Sequence, residues 1–290
     1  MKTSSKGFKP RIPEAPRGIQ AGKSLSDLLG SEAVDCLARN LKGVYPDFAS
    51  AAFRQAAHEG LAPLGLMDRG RHLANVLHDF LPSTFSAAVG ILLRSLTPPA
   101  APGETCGLAG FFYLPHTCFV ARYGLDASNN RGRDPFAVAM TAQRELTQRF
   151  TAEFSIRPFL VHRRKETLSQ LIRWTKEANT DVRRLCSEGT RPRLPWGMRL
   201  HEFVKDPTPS LPILEALKDD PELYVRRSVA NHLGDIGKDH PDLLCEICRS
   251  WLNGASTERL WLIRHALRYP AKKGNQFAIE LRKRAGARWG

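Results

Sequence analysis

The fold is decided by the stretch Asp220-Pro221-Glu222-Leu223-Tyr224-Val225-Arg226-Arg227-Ser228-Val229-Ala230-Asn231-His232-Leu233-Gly234-Asp235. Val225, Val229, Leu233 and Ile236 recur every three or four residues, the spacing that lines one face of an α-helix. Asp220 or Pro221 is placed to start that helix and Gly237 to close it. The motif is not unique. Val182-Arg183-Arg184-Leu185 returns as Val225-Arg226-Arg227-Ser228, 43 residues on, and a weaker copy, Ile263-Arg264-His265-Ala266, follows after a further 38.

A period of about 40–47 residues is that of HEAT or armadillo helical repeats. Three copies stack into one continuous core, because each repeat buries its apolar stripe against the next. The expected fold is therefore all-α, a HEAT-like solenoid occupying residues 25–290 as a single domain. The N-terminal half agrees: Leu37/Leu41/Val44, Phe48/Ala52 and Leu73/Val76/Leu77/Phe80 keep helical spacing, with Pro46, Gly60, Pro63, Gly70 and Pro82 as punctuation. Strict alternation and hairpin turn signals are missing, which argues against sheets. Residues 97–133 read as a loop-rich insertion containing the aromatic run Phe111-Phe112-Tyr113. Residues 1–24, rich in Pro, Lys and Arg, read as a disordered arm.

The repeat register also selects a face. Arg227, Asn231 and Asp235 lie at i, i+4 and i+8, off the Val225/Val229/Leu233 stripe. Moved by one repeat in either direction, they fall on Arg184/Glu188 and on His265/Tyr269. Solenoids use such a face for extended ligands. The plainer alternative is that Arg227 and Asp235 merely bond adjacent repeats.

Charge narrows the partner. The chain has 290 residues, 43 Lys+Arg and 29 Asp+Glu, for a net charge of +14, and +10 of that falls in residues 141–290. Such an excess favours a polyanion, nucleic acid before anionic membrane. Hydrophobic residues at 42% and charged residues at 25% exclude general disorder. No apolar run reaches the ~18–20 residues of a membrane span. Met1 to Gln20 lacks the apolar core of a secretory signal, and an organelle transit peptide has little support. Six cysteines are too sparse for a disulfide scaffold, so a reducing compartment, the bacterial-type cytoplasm or nucleoid, is expected.

Two segments go beyond the generic repeat. Arg149-Phe150-Thr151-Ala152-Glu153-Phe154-Ser155-Ile156-Arg157-Pro158-Phe159-Leu160 sets Arg149 and Glu153 at i, i+4, which by itself describes a surface ion pair. Arg184-Leu185-Cys186-Ser187-Glu188-Gly189-Thr190-Arg191-Pro192-Arg193-Leu194-Pro195-Trp196-Gly197 ends a helix at Gly189 and then delivers a tryptophan on a basic turn stiffened by two prolines. A lone Trp in such a turn is more often a packing staple. Together the two segments resemble the AlkC branch of the AlkC/AlkD-like DNA glycosylases, most densely from Thr141 to Asp235. The resemblance implies an all-helical, C-shaped HEAT-like fold that removes N3-alkylated bases from double-stranded DNA, without fully flipping the base into a pocket. It implies Glu153, Glu188 and Asp235 as acidic residues at the lesion, Arg184 beside them, and Trp196 as the aromatic contact. Some members of this branch continue into an immunoglobulin-like domain. Here the sequence reaches Trp289-Gly290 without an all-β segment, so that domain is not expected.

The residue chemistry agrees. An N3-alkylated base is cationic and already a good leaving group, so what is needed is stabilisation of an oxocarbenium-like sugar and a positioned water. Carboxylates supply both. Arg184 is suited to hold Glu188 ionised, and a Trp ring attracts a cationic base by about 0.5–2 kcal/mol. Candidate DNA contacts are Arg163, Arg164, Lys165, Arg191, Arg193, Arg226, Arg227, Lys238, Arg264 and Arg268, with Asn231 and His265 from the shared face. Cys245-Glu246-Ile247-Cys248 is a lone CxxC, read as buried helix cysteines before zinc ligands. His201-Glu202 lacks the second histidine of a zincin, and there is no dinucleotide fingerprint or Walker loop. No metal or nucleotide cofactor is expected, and a monomer suffices. The competing readings are a non-catalytic HEAT-type nucleic-acid binder and a protein scaffold.

Overall fold

The structure is a computed structural model that describes residues 7–101, 104 and 106–287. The described residues form sixteen α-helices and no strand. The chain divides into two compact units, Met1–Ser155 and Ile156–Gly290.

The first unit contains α1 (Ser31–Val44), α2 (Ser50–His58), α3 (Leu66–Phe80), α4 (Phe85–Arg94), α5 (Leu114–Tyr123) and α6 (Phe136–Thr147). Its core is apolar and aromatic. Phe48 and Phe53 lie 5.2 Å apart, and Phe53 meets Phe80 edge-on at 5.8 Å. α3 and α5 pack closely, because Gly70 has no side chain: a Cβ there would stand 2.7 Å from Leu114 Cγ. α5 falls inside the stretch read as a loop-rich insertion, yet it buries Phe119 and Val120 in the core. The prolines before it hide its short apolar pattern from a periodicity reading. Residues 1–6 of the arm lie outside the described residues. From Gly7 onward the arm has no regular helix before Leu25, but it is tied to α1: Asn40 Nδ2 donates to the Arg11 carbonyl at 2.6 Å, and Arg39 covers the Phe8 ring at 5.0 Å.

The second unit contains α7 (Arg157–His162), α8 (Arg164–Trp174), α9 (Thr180–Gly189), α10 (His201–Lys205), α11 (Leu211–Leu217), α12 (Leu223–Asp239), α13 (Pro241–Leu252), α14 (Thr257–Ala266), α15 (Arg268–Lys272) and α16 (Gln276–Arg284). The three repeat copies are α9, α12 and α14, and α12 packs between the other two. The stripe Val225, Val229, Leu233 and Ile236 is buried as its spacing requires. The helix bounds differ from the sequence reading at both ends. α12 starts at Leu223, after Glu222, and continues through Gly237 to Asp239. Gly237 is a packing residue: a Cβ there would meet Leu244 of α13 at 2.3 Å.

Candidate active site

Two hydrogen bonds set the register of the stacked repeat helices. Ser228 Oγ of α12 donates to Glu188 Oε2 of α9 at 2.7 Å, and Asn231 Oδ1 lies 3.0 Å from His265 Nε2 of α14. Both bonds fall about one helical turn from the expected levels, which had matched Glu188 to Asn231 and Asn231 to Tyr269.

Between α9 and α12 lies a buried charged cluster. Arg191 donates through Nη1 to Glu188 Oε1 at 2.6 Å and through Nε to Asp235 Oδ2 at 2.8 Å, so one guanidinium joins two carboxylates from neighbouring repeats. Glu188, Asp235 and Arg191 are all buried. Arg184, one turn before Glu188, stands 3.6 Å from Oε1 and covers the exposed Tyr224 ring at 4.9 Å. Lys238 reaches Asp235 Oδ1 at 3.0 Å from the exposed side. Burial alone pushes the Glu188 carboxyl up, but Arg184, Arg191 and the Ser228 hydroxyl outweigh it and hold it below the ordinary carboxylate value. Burial opposes the charge on Arg191 too, and Glu188 and Asp235 restore it. Glu188 and Arg191 are thus a fixed ion pair at neutral pH. Arg191, read from sequence as a phosphate contact, is the clamp of the cluster.

The segment after Arg191 carries Trp196. It closes on itself through the Leu200 amide to the Pro192 carbonyl and the Gly197 amide to the Leu194 carbonyl, both at 3.2 Å, with Leu194 and Leu200 buried as anchors. Trp196 is 77% exposed and has φ of +61°. A bulky side chain rarely adopts that left-handed backbone, and holding it there costs on the order of 1–3 kcal/mol. A packing staple would be buried, so the plainer reading of Trp196 fails.

Arg157 was missed by the sequence reading. It is completely buried, and its guanidinium donates to the carbonyls of Met198, Gly189 (3.0 Å) and Arg191 (2.9 Å). A sequence signals little here beyond an Arg-Pro pair at a helix start, since arginine is ordinarily a surface residue.

Glu153 belongs to the first unit. It lies in a turn after α6, is 9% exposed, and accepts a 2.7 Å bond from the Thr151 hydroxyl. The expected pairing with Arg149 is not formed. α6 ends at Thr147, and Arg149 turns to Glu145 and to the Thr97 carbonyl instead.

The other candidates fall into two groups. Lys165, Arg227, Lys238 and Arg268 are exposed. Arg163 pairs with Glu166, Arg164 covers the Phe203 ring, and Arg193 makes a two-pronged pair with Asp239. Arg264 bonds the Ala285 carbonyl, and Arg268 rests on His265. Burial, then the positive charges of Arg268 and Arg227, lower the His265 pKa to about 4, which leaves the ring neutral. Arg226 is turned away from any phosphate role: it is buried, with Nη1 on the carbonyls of Asp220 and Pro221. Cys245 and Cys248 are buried on α13, and burial raises both thiols.

The fold and site together define a helical-repeat protein with a buried carboxylate–arginine array and a displayed tryptophan on the adjoining loop. No family model matches the chain. It is 36% identical over 258 residues to the uncharacterized protein YhaZ of Bacillus subtilis, covering 89% of this chain and 67% of that protein. It is also similar to a solved structure, the alkylpurine DNA glycosylase AlkC of Pseudomonas fluorescens bound to DNA containing an abasic site analogue. There the TM-score is 0.77 at 37% identity, over 89% of this chain and 67% of the other. The chain belongs to the AlkC family of DNA glycosylases.

Proposed function

We propose that this protein excises cationic N3-alkylated bases, 3-methyladenine or 3-methylcytosine, from double-stranded DNA, as a monofunctional, monomeric glycosylase of base excision repair. The observation that carries this is the Glu188–Arg191–Asp235 array on the segment that displays Trp196. The similarity to an alkylpurine DNA glycosylase bound to DNA containing an abasic site analogue supports an alkylated purine as substrate and DNA as partner.

In this reaction the C1′–N bond breaks and its electron pair goes to the base, which leaves neutral. Positive charge develops on the sugar and is quenched by water, whose proton passes to a carboxylate or to solvent. Glu188 suits the electrostatic part of this task. It is held ionised and oriented before the substrate arrives, so no reorganisation is needed as the sugar becomes cationic. The same lowered pKa makes it a poor proton acceptor, which leaves the orienting of water to another carboxylate. Trp196 offers its ring face to the cationic base. Lys165, Arg227, Lys238 and Arg268 are the exposed cations suited to phosphates, which position the duplex without reading its sequence.

The test is release of free base from DNA carrying 3-methyladenine or 3-methylcytosine. Release from either, with an abasic strand left behind, is the expected result. No release above the uncatalysed rate from either lesion overturns the reading in favour of a DNA-binding repeat protein without chemistry.

A further inference from the structure

Trp196 combines two unfavourable features, an exposed indole and a left-handed backbone. Neither burial of its own side chain nor local preference keeps it there, and the backbone bonds and leucine anchors within the loop do not tie its base to the rest of the unit. The three carbonyls that Arg157 bonds come from both sides of the tryptophan. Gly189 and Arg191 lie before it and Met198 lies after it. One buried guanidinium therefore spans the base of the loop. Its planar fork fixes several acceptors at once, and bonds from a cation are roughly twice as strong as neutral ones. The Arg191 carbonyl belongs to the residue whose side chain joins Glu188 and Asp235.

We propose that Arg157 is a positioning residue that holds the 189–198 segment so that Trp196 stays displayed and Arg191 stays on its two carboxylates. The proposal rests on the reading of Trp196 as the contact to the damaged base. The competing view is that Arg157 only caps the end of α9, where the Gly189 carbonyl lies. That view does not account for the bond to Met198, beyond the tryptophan.

The two views separate in a protein labelled with 5-fluorotryptophan, whose Trp196 fluorine line is assigned from W196F. Arg157→Lys keeps the charge but loses the fork, and Arg157→Gln loses both. The expected result is a shifted and broadened Trp196 line in both variants, larger in Arg157→Gln. The lines of the buried Trp174 and Trp251 should stay in place. In base release, Arg157→Lys should lower kcat by about tenfold, the order seen when a supporting contact is lost. W196A should then cost markedly less in the Arg157→Lys background than in the wild type, because the loop is already misplaced. An unmoved Trp196 line in both variants, independent effects of the two substitutions, or loss of the Trp174 and Trp251 lines in both variants would each overturn the proposal. If the wild-type protein releases no base, the proposed activity fails, and the fluorine lines alone still decide the role of Arg157.

Discussion

Two charged clusters in the second unit use the same residue types to different ends. At the start of α12, Arg183 grips Asp220 with two bonds, 2.6 and 3.1 Å, and also takes the Glu177 and Ala178 carbonyls. Arg226 bonds the Asp220 and Pro221 carbonyls. There two arginines serve one carboxylate and a set of main-chain oxygens. In the other cluster one arginine, Arg191, serves two carboxylates, with Arg184 and Lys238 at the edges. The first cluster fastens helix ends and turns. The second gathers two carboxylates from facing helices on one guanidinium and joins the loop of Trp196. Burial is similar in both, so buried ion pairs alone do not mark a site. What marks it is the pair of carboxylates drawn together and the exposed, strained aromatic on the adjoining loop.

The contrast breaks most visibly at the clamp. Arg191→Ala leaves two buried carboxylates with only Arg184 and Lys238 at their edges, and losing one partner of a buried pair costs about 3–5 kcal/mol. The expected outcome is a loss at the upper end of that range in denaturant unfolding. Arg183→Ala strands only Asp220 and should cost less. Equal losses would mean that the two clusters are the same kind of staple.

The next effect is on rate. Glu188→Gln should lower base release by about 100- to 1,000-fold, the usual loss for one preorganised electrostatic group. Asp220→Asn should leave the rate of the folded fraction unchanged. If both variants release base at the wild-type rate, the Glu188 carboxylate is not part of the chemistry. The pH dependence sharpens this. Because Glu188 lies below its ordinary value when folded, its contribution to stability is complete above about pH 4.5. It is lost only as the pH falls through the lower folded value. The difference in unfolding free energy between wild type and Glu188→Gln should therefore be flat from pH 7 to about 5 and shrink below that. A difference that already shrinks near pH 6 would contradict an ionised, clamped Glu188.

Much of the second unit was legible in its sequence, because the repeat carries its own register. The step from Val182-Arg183 to Val225-Arg226 placed α9 beside α12, but it matched Glu188 to Asn231, and the bond Glu188 makes is to Ser228, about one turn away. The apolar stripe of α12 was legible for the same reason. Arginine was the difficulty. Arg157, Arg191 and Arg226 look like surface charges in a basic chain, and all three are buried. Whether an arginine points to solvent or into a turn depends on carbonyls freed at helix ends, and those ends are the least certain part of any periodicity reading. Glu153 illustrates the same limit. Its i, i+4 relation to Arg149 has meaning only on a helix, and the helix stops at Thr147.

The smallest expected effect sets Trp196 against Trp174, two tryptophans of the same unit. Glycine adopts φ of +61° without strain, so Trp196→Gly relieves the backbone and removes an exposed indole. Glycine also adds freedom to the unfolded chain, which offsets part of the gain. The net change in stability should stay within about 1 kcal/mol of zero. Trp174 is 4% exposed, and Trp174→Gly should cost at least the ~3–5 kcal/mol of truncating a buried aromatic. Activity should separate the pair in the opposite sense. Loss of a cation–π contact of about 0.5–2 kcal/mol slows base release by roughly 2- to 30-fold in Trp196→Gly. Whatever Trp174→Gly protein remains folded should keep its rate. A Trp196→Gly protein that unfolds readily yet releases base at full speed would make Trp196 a structural residue after all, held in the open for a reason other than the lesion.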